Sequence, residues 1–161
     1  MNKIIYYVVL FLLFNAPSNV FADSFLVKLN FLDGEKSKDS WTSETTVSID
    51  GSEIKYKKTW SGSAKSRNKD IDKQCTLSDS QVTAIQKIIY DNKLLVKETV
   101  TDKDEKYKSY ERFVNISLDI SLAEALGKIR INGDMVQIKD TDLYKKTMEL
   151  INLIDDYANK C

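Results

Sequence analysis

The chain has 161 residues, with 24 basic and 24 acidic side chains, 42% hydrophobic residues, one proline and no histidine. The missing histidine excludes Ser-His-Asp and Cys-His catalysis, a histidine general base and any histidine-ligated zinc site. Even charge balance gives no general attraction to nucleic acid or an anionic membrane, and the apolar content is too high for a disordered chain.

Residues 1–22 read as a secretory signal peptide. Asn2 and Lys3 form a short basic region, Ile4 to Phe14 is an unbroken apolar run, Pro17 breaks any helix, and Val20-x-Ala22 offers a small-residue cleavage pattern. The run is too short to span a bilayer, and no cysteine follows it to carry a lipid. The expectation is therefore an exported protein, periplasmic or extracellular, with no membrane anchor in the mature chain. Residues 23–161 are expected to form one globular domain with 23 basic and 24 acidic side chains.

In the mature region Phe25, Val27, Leu29 and Phe31 alternate with polar residues and predict a strand over Phe25 to Leu32. A polar stretch through Trp41 leads to a second strand, Thr45 to Asp50. Asp50-Gly51 then predicts a tight hairpin into a third strand, Ser52 to Trp60. Ser61 to Gln74 shows no apolar period and reads as a long surface loop.

A helix start follows. Ser78 and Gln81 form a capping box, Leu77 and Val82 a hydrophobic staple, and Val82, Ile85, Ile88 and Ile89 a buried stripe ending at Asn92, a suitable left-handed stop. Leu94 to Thr99 is a short strand or helix exit. Asp102 to Glu111 has an acidic spacing like that of a calcium loop, but it lacks the central glycine and places Lys106 where an oxygen ligand belongs, so it reads as a solvated loop.

Val114, Ile116, Leu118, Ile120 and Leu122 mark the clearest strand, with one face buried and the other wet, as in antiparallel sheets. Asn115-Ile116-Ser117 is a glycosylation sequon whose asparagine reads as an ordinary solvent-facing strand residue. "KIRI" and "MVQIK" flank Asn132-Gly133-Asp134, which predicts another hairpin. A last helix is expected from Thr141 to Asn159, burying Leu143, Thr147, Leu150, Ile151, Ile154 and Ala158. The fold expected is α+β: a single domain, mostly antiparallel sheet with two helices packed on one face.

Cys75 and Cys161 are the only cysteines, and export predicts that they pair. Their bridge would close a loop of about 85 residues, worth ~4.5 kcal/mol in the chain-entropy model. A catalytic thiol would have no histidine to activate it, so the pair reads as a structural staple and leaves no thiolate for metal. No phosphate loop or ligand cluster predicts a cofactor or a metal.

Lys55 to Lys73 holds seven basic residues against Asp70 and Asp72, with Tyr56 and Trp60 among them. Trp60, Lys65, Arg67, Lys69 and Lys73 are the candidate partner-binding residues, suited to another protein with an acidic surface. The same residues also fit a hairpin with a wet face, a core face and a solvated loop. The function expected is a non-enzymatic exported binder, in its most concrete form an inhibitor or immunity-type protein acting on a hydrolase or toxin of the envelope. The alternatives are a small hydrolase using carboxylates such as Glu111, Asp119 and Glu124, or an envelope protein holding a ligand between sheet and helices.

Overall fold

The computed structural model describes residues 25–36, 40–101 and 111–161. The expected signal segment and most of the charged stretch after Thr101 lie outside the described residues. Those described form seven strands, β1 (Phe25–Glu35), β2 (Trp41–Asp50), β3 (Glu53–Gly62), β4 (Ile71–Thr76), β5 (Lys97–Thr101), β6 (Arg112–Leu122) and β7 (Ala125–Asp134). They also form three helices, α1 (Asp79–Asp91), α2 (Met135–Ile138) and α3 (Asp142–Lys160). The strands make one sheet in the order β4-β3-β2-β1-β6-β7-β5, antiparallel at every pairing except β5–β7. The fold is mostly β and α+β in class.

Strand alternation builds the core. Val27, Leu29, Val47, Ile49, Ile54 and Tyr56 are buried, while Lys28, Glu44, Lys55 and Lys57 between them are exposed. Ile116, Leu118, Ile129 and Ile131 continue the buried side across β6 and β7. Ile85 and Ile89 of α1 and Leu150, Ile151 and Ile154 of α3 belong to the same hydrophobic cluster. The stripe expected on the last helix is the buried set of α3, residue for residue. Thr141 caps that helix, its hydroxyl accepting from Tyr144 N at 3.4 Å.

The first long helix begins as its capping box predicts: Ser78 N donates to Gln81 Oε1 at 2.8 Å, and Gln81 N donates to Ser78 Oγ at 3.3 Å. Its end differs from expectation. Asn92 stays right-handed (φ −85°), and the positive φ falls on Lys93 (55°). The Asn92 amide is used across the core instead, donating to Lys146 O at 3.3 Å and to Glu149 Oε2 at 2.8 Å, which ties the end of α1 to α3.

Two further expectations are overturned. Ile71–Thr76 is strand β4 rather than part of a loop, paired with β3 from Glu53↔Thr76 to Lys58↔Ile71. An edge strand needs only one shallow buried side, and Ile71, Lys73 and Cys75 supply it with a lysine in the middle, which hides the apolar period. Asn132-Gly133-Asp134 does not turn. β7 runs through it opposite Phe113, Val114 and Asn115, and Asp134 then caps α2 by accepting from Val136 N at 2.9 Å. The hairpin lies earlier, with Leu122 opposite Ala125 and Ala123 and Glu124 in the turn.

The first residue of each two-residue hairpin loop has positive φ, Gly51 at 57° and Ala123 at 53°. Glycine takes that conformation freely, whereas an L side chain there costs about 1–2 kcal/mol. Ala123→Gly should therefore raise stability by about 1 kcal/mol, read as a higher urea midpoint at unchanged slope.

Cys75 and Cys161 form a disulfide with Cα atoms 6.2 Å apart, closing a sequence separation of 86. The bond is consistent with an oxidising, exported compartment. Reduction should cost about 2–4 kcal/mol. Urea unfolding with and without dithiothreitol, followed by the fluorescence of Trp41 and Trp60, measures that difference.

Candidate functional site

β1, β2 and β3 run past the cluster of buried aliphatic residues at one end of the sheet. There Ser43 pairs with Trp60, and Trp41 pairs with Glu35 on one side and Gly62 on the other. This register places both tryptophans on the core-side face, at its rim. Their ring centroids are 6.5 Å apart at an interplanar angle of 41°, within the range of favourable aromatic pairs. Trp41 Nε1 donates to Glu35 Oε2 at 3.2 Å, and the Lys58 ammonium sits 5.3 Å from the Trp60 ring centroid.

The β3–β4 loop folds back against this pair. Gly62, at φ 65°, starts the turn, and a Cβ there would meet Ser40 O at 2.0 Å, so backbone approach and backbone angle both demand glycine. Ser63 N donates to Ser40 O at 3.0 Å, and Asn68 donates to Ala64 O through both its backbone and its side chain at 3.0 Å. Asp70 straps the loop: it accepts from Trp60 N at 3.0 Å and pairs with Lys65. The Lys65 ammonium, and after it the Trp60 N–H, hold the Asp70 carboxyl below its usual range. The result is a shallow recess of ≈ 210 Å³ lined by Trp41, Trp60, Ser63, Ala64, Arg67 and Asn68.

The five residues predicted to bind a partner divide in space. Trp60 and Arg67 line the recess, and Lys65 stands beside it with its charge engaged by Asp70. Lys69 is exposed on the same loop. Lys73 lies on β4 opposite Tyr56 and serves the fold, donating to the carbonyls of Ala158 (3.1 Å) and Asn159 (3.2 Å) at the end of α3. A lysine there satisfies orphan helix carbonyls and complements the negative helix end. Trp41 was missed because "DGEKSKDSW" reads as a polar lead-in; only the pairing register brings it beside Trp60.

Next to Lys73, α3 is held by a charged network. Tyr56 donates to Asp155 Oδ1 at 2.5 Å, and Lys58 Nζ lies 3.6 Å from Asp155 Oδ2. Burial first, and then the Asp155 carboxylate, push the Tyr56 phenol well above its ordinary value of 10.0.

Of the acids weighed for hydrolysis, two lie far apart. Glu111 and Glu124 flank opposite ends of β6, roughly 30 Å apart, against the 5–10 Å that a carboxylate pair requires. Both oxygens of Asp119 accept from Arg130 Nη2, at 2.8 and 3.1 Å. Between β5 and the ends of α1 and α3 there is a second recess of ≈ 370 Å³, with Val96, Val100 and Leu143 set among Lys93, Glu98 and Lys146. Among the described residues no group of three or more His, Cys, Asp or Glu could hold a metal ion, and no helix is long and apolar enough to cross a membrane. No protein-family model and no curated protein matches this chain.

Because the folded phenol of Tyr56 ionises above 10.0, its contribution to stability is complete below pH 10 and is lost as pH rises beyond it. Tyr56→Phe should remove that alkaline decline and cost about 1.5–3 kcal/mol at neutral pH, the worth of a hydrogen bond to a charged group. Urea midpoints at neutral and alkaline pH for both proteins, with phenolate absorbance as the titration signal, test the assignment.

Proposed function

We propose that this is an exported, non-enzymatic binding domain that docks on another protein through its tryptophan corner, acting as an inhibitor or immunity-type protein on a hydrolase or toxin of the envelope. In this reading α1 and α3 pack on one face of the sheet as its rigid back, and the corner projects from the rim of that face. The observation that carries it is the Trp41–Trp60 pair, half-buried beside Arg67 and Lys69 on a loop fastened at both ends. Tryptophan and arginine supply a disproportionate share of interface energy. A loop already strapped by Asp70 and Gly62 loses little freedom when it binds. Arg67 and Lys69, which make no ion pair among the described residues, suit an acidic surface and speed encounter with it.

Envelope proteins of the native host, passed over the immobilised oxidised protein, should leave one hydrolase or toxin bound in stoichiometric amount and inhibited. Reversing charge at Arg67 and Lys69 (to Glu) should weaken that binding at least about tenfold, and Trp60→Ala at least about thirtyfold, the weight of an interface anchor. Unchanged retention by these variants would remove the corner from the reading. A captured enzyme that stays fully active would remove inhibition.

A further inference from the structure

One row across the sheet face turned away from the core is rich in charge. Lys28 of β1 stands beside Asp119 of β6, Asp119 beside Lys128 of β7, and Lys128 beside Lys97 of β5. Neighbouring strands lie about 4.8 Å apart, so Lys97 and Lys128 are like charges side by side, an arrangement that destabilises a sheet. Asp119, standing between Lys28 and Lys128, is itself engaged by Arg130, whose Nη2 donates to both of its oxygens. Among the described residues Lys28, Lys97 and Lys128 make no ion pair.

The adjoining row holds Leu26 and Leu126, with Ser121 between them. Leu126 is 73% exposed, the most exposed large apolar side chain among the described residues. These leucines and the three lysines, with Asp119 among them, line an open recess of ≈ 350 Å³ whose charged lining is positive on balance.

We propose that this recess docks a segment of another protein in which a leucine-sized side chain is flanked by carboxylates. The unpaired lysines supply the charge complementarity. Two leucines on an open sheet face match one or two side chains, whereas an acyl chain needs walls that bury most of its length. The site is distinct from the tryptophan corner. Leu26 and Trp41 lie at opposite ends of the β1–β2 ladder, and their register sets them on opposite faces.

The test is a titration of the ¹⁵N-labelled oxidised protein with the peptide Asp-Glu-Leu-Leu-Glu-Asp and its Asp-Glu-Ser-Ser-Glu-Asp control. The first should shift the amides of Leu26, Lys28, Lys97, Leu126 and Lys128 saturably, and the control should bind at least about tenfold more weakly, the worth of a buried leucine. Leu126→Ser should weaken binding about tenfold. Lys128→Thr should weaken it about fivefold, the upper end for an exposed ion pair, while raising the melting temperature by removing the like-charge neighbour. Trp60→Ala should leave the affinity unchanged, so failure here and failure at the tryptophan corner are separable. Absence of saturable shifts at millimolar peptide, equal binding of the serine control, or laurate occupying the same amides without competition from the peptide would each overturn the proposal.

Discussion

The end of α3 is fastened to the β3–β4 edge, and the ordering of the candidate site depends on that seam. β4 is a six-residue edge strand with only Ile71, Lys73 and Cys75 partly buried, too little apolar surface to hold an edge by itself. Covalent and polar links make up the difference. Cys75 is bonded to Cys161, Lys73 closes the carbonyl end of α3, and Tyr56 and Lys58 converge on Asp155 one turn earlier. Fastening β4 fixes the far end of the loop that begins at Gly62, and so fixes Arg67 against the tryptophans.

The same seam explains why a lysine stands in a strand and a tyrosine is buried with its hydroxyl intact. Lys73, half-buried on β4, delivers its charge to a helix terminus. Tyr56 contributes ring area to the core and a proton to Asp155, and Lys58 connects that carboxylate to the Trp60 ring. Side chains that a charge count assigns to a wet basic surface are thus shared between the fold and the corner. Arg67 and Lys69, on the loop beyond them, are exposed and make no ion pair among the described residues.

Polar satisfaction is not uniform across the sheet. Among the described residues Thr147 carries a buried hydroxyl without a hydrogen-bond partner, a cost tolerated inside the core. Lys97 and Lys128, which make no ion pair among the described residues, are neighbouring like charges on the solvent face of β5 and β7, where the like-charge cost is smaller because water screens it. Neither arrangement is what stability alone would select.

Much of the fold is legible in the chain because it is written in local periods. Alternation at Val114 to Leu122, the hairpin glycine at 51, the Ser78–Gln81 capping box and the six-residue stripe of α3 each reflect backbone geometry that acts within a few residues. The two cysteines, alone in the chain, leave one possible intramolecular pairing. What failed was decided at long range. Ile71–Thr76 becomes a strand only because β3 presents an edge and Cys161 a bond, and Asn132-Gly133-Asp134 stays extended because β6 continues past it. Asn92 gives its side chain to α3 rather than its backbone to a left-handed stop. The site divided in the same way: the basic loop and Trp60 could be read from composition, but Trp41 joins them only through strand register. That Lys73 also donates to the end of α3 is visible only once that helix end is placed. Sequence by itself determined the elements with a local period and the cysteine pairing. Tertiary structure decided the edges, the long connections and the company each charged side chain keeps, because those depend on partners far away in the chain.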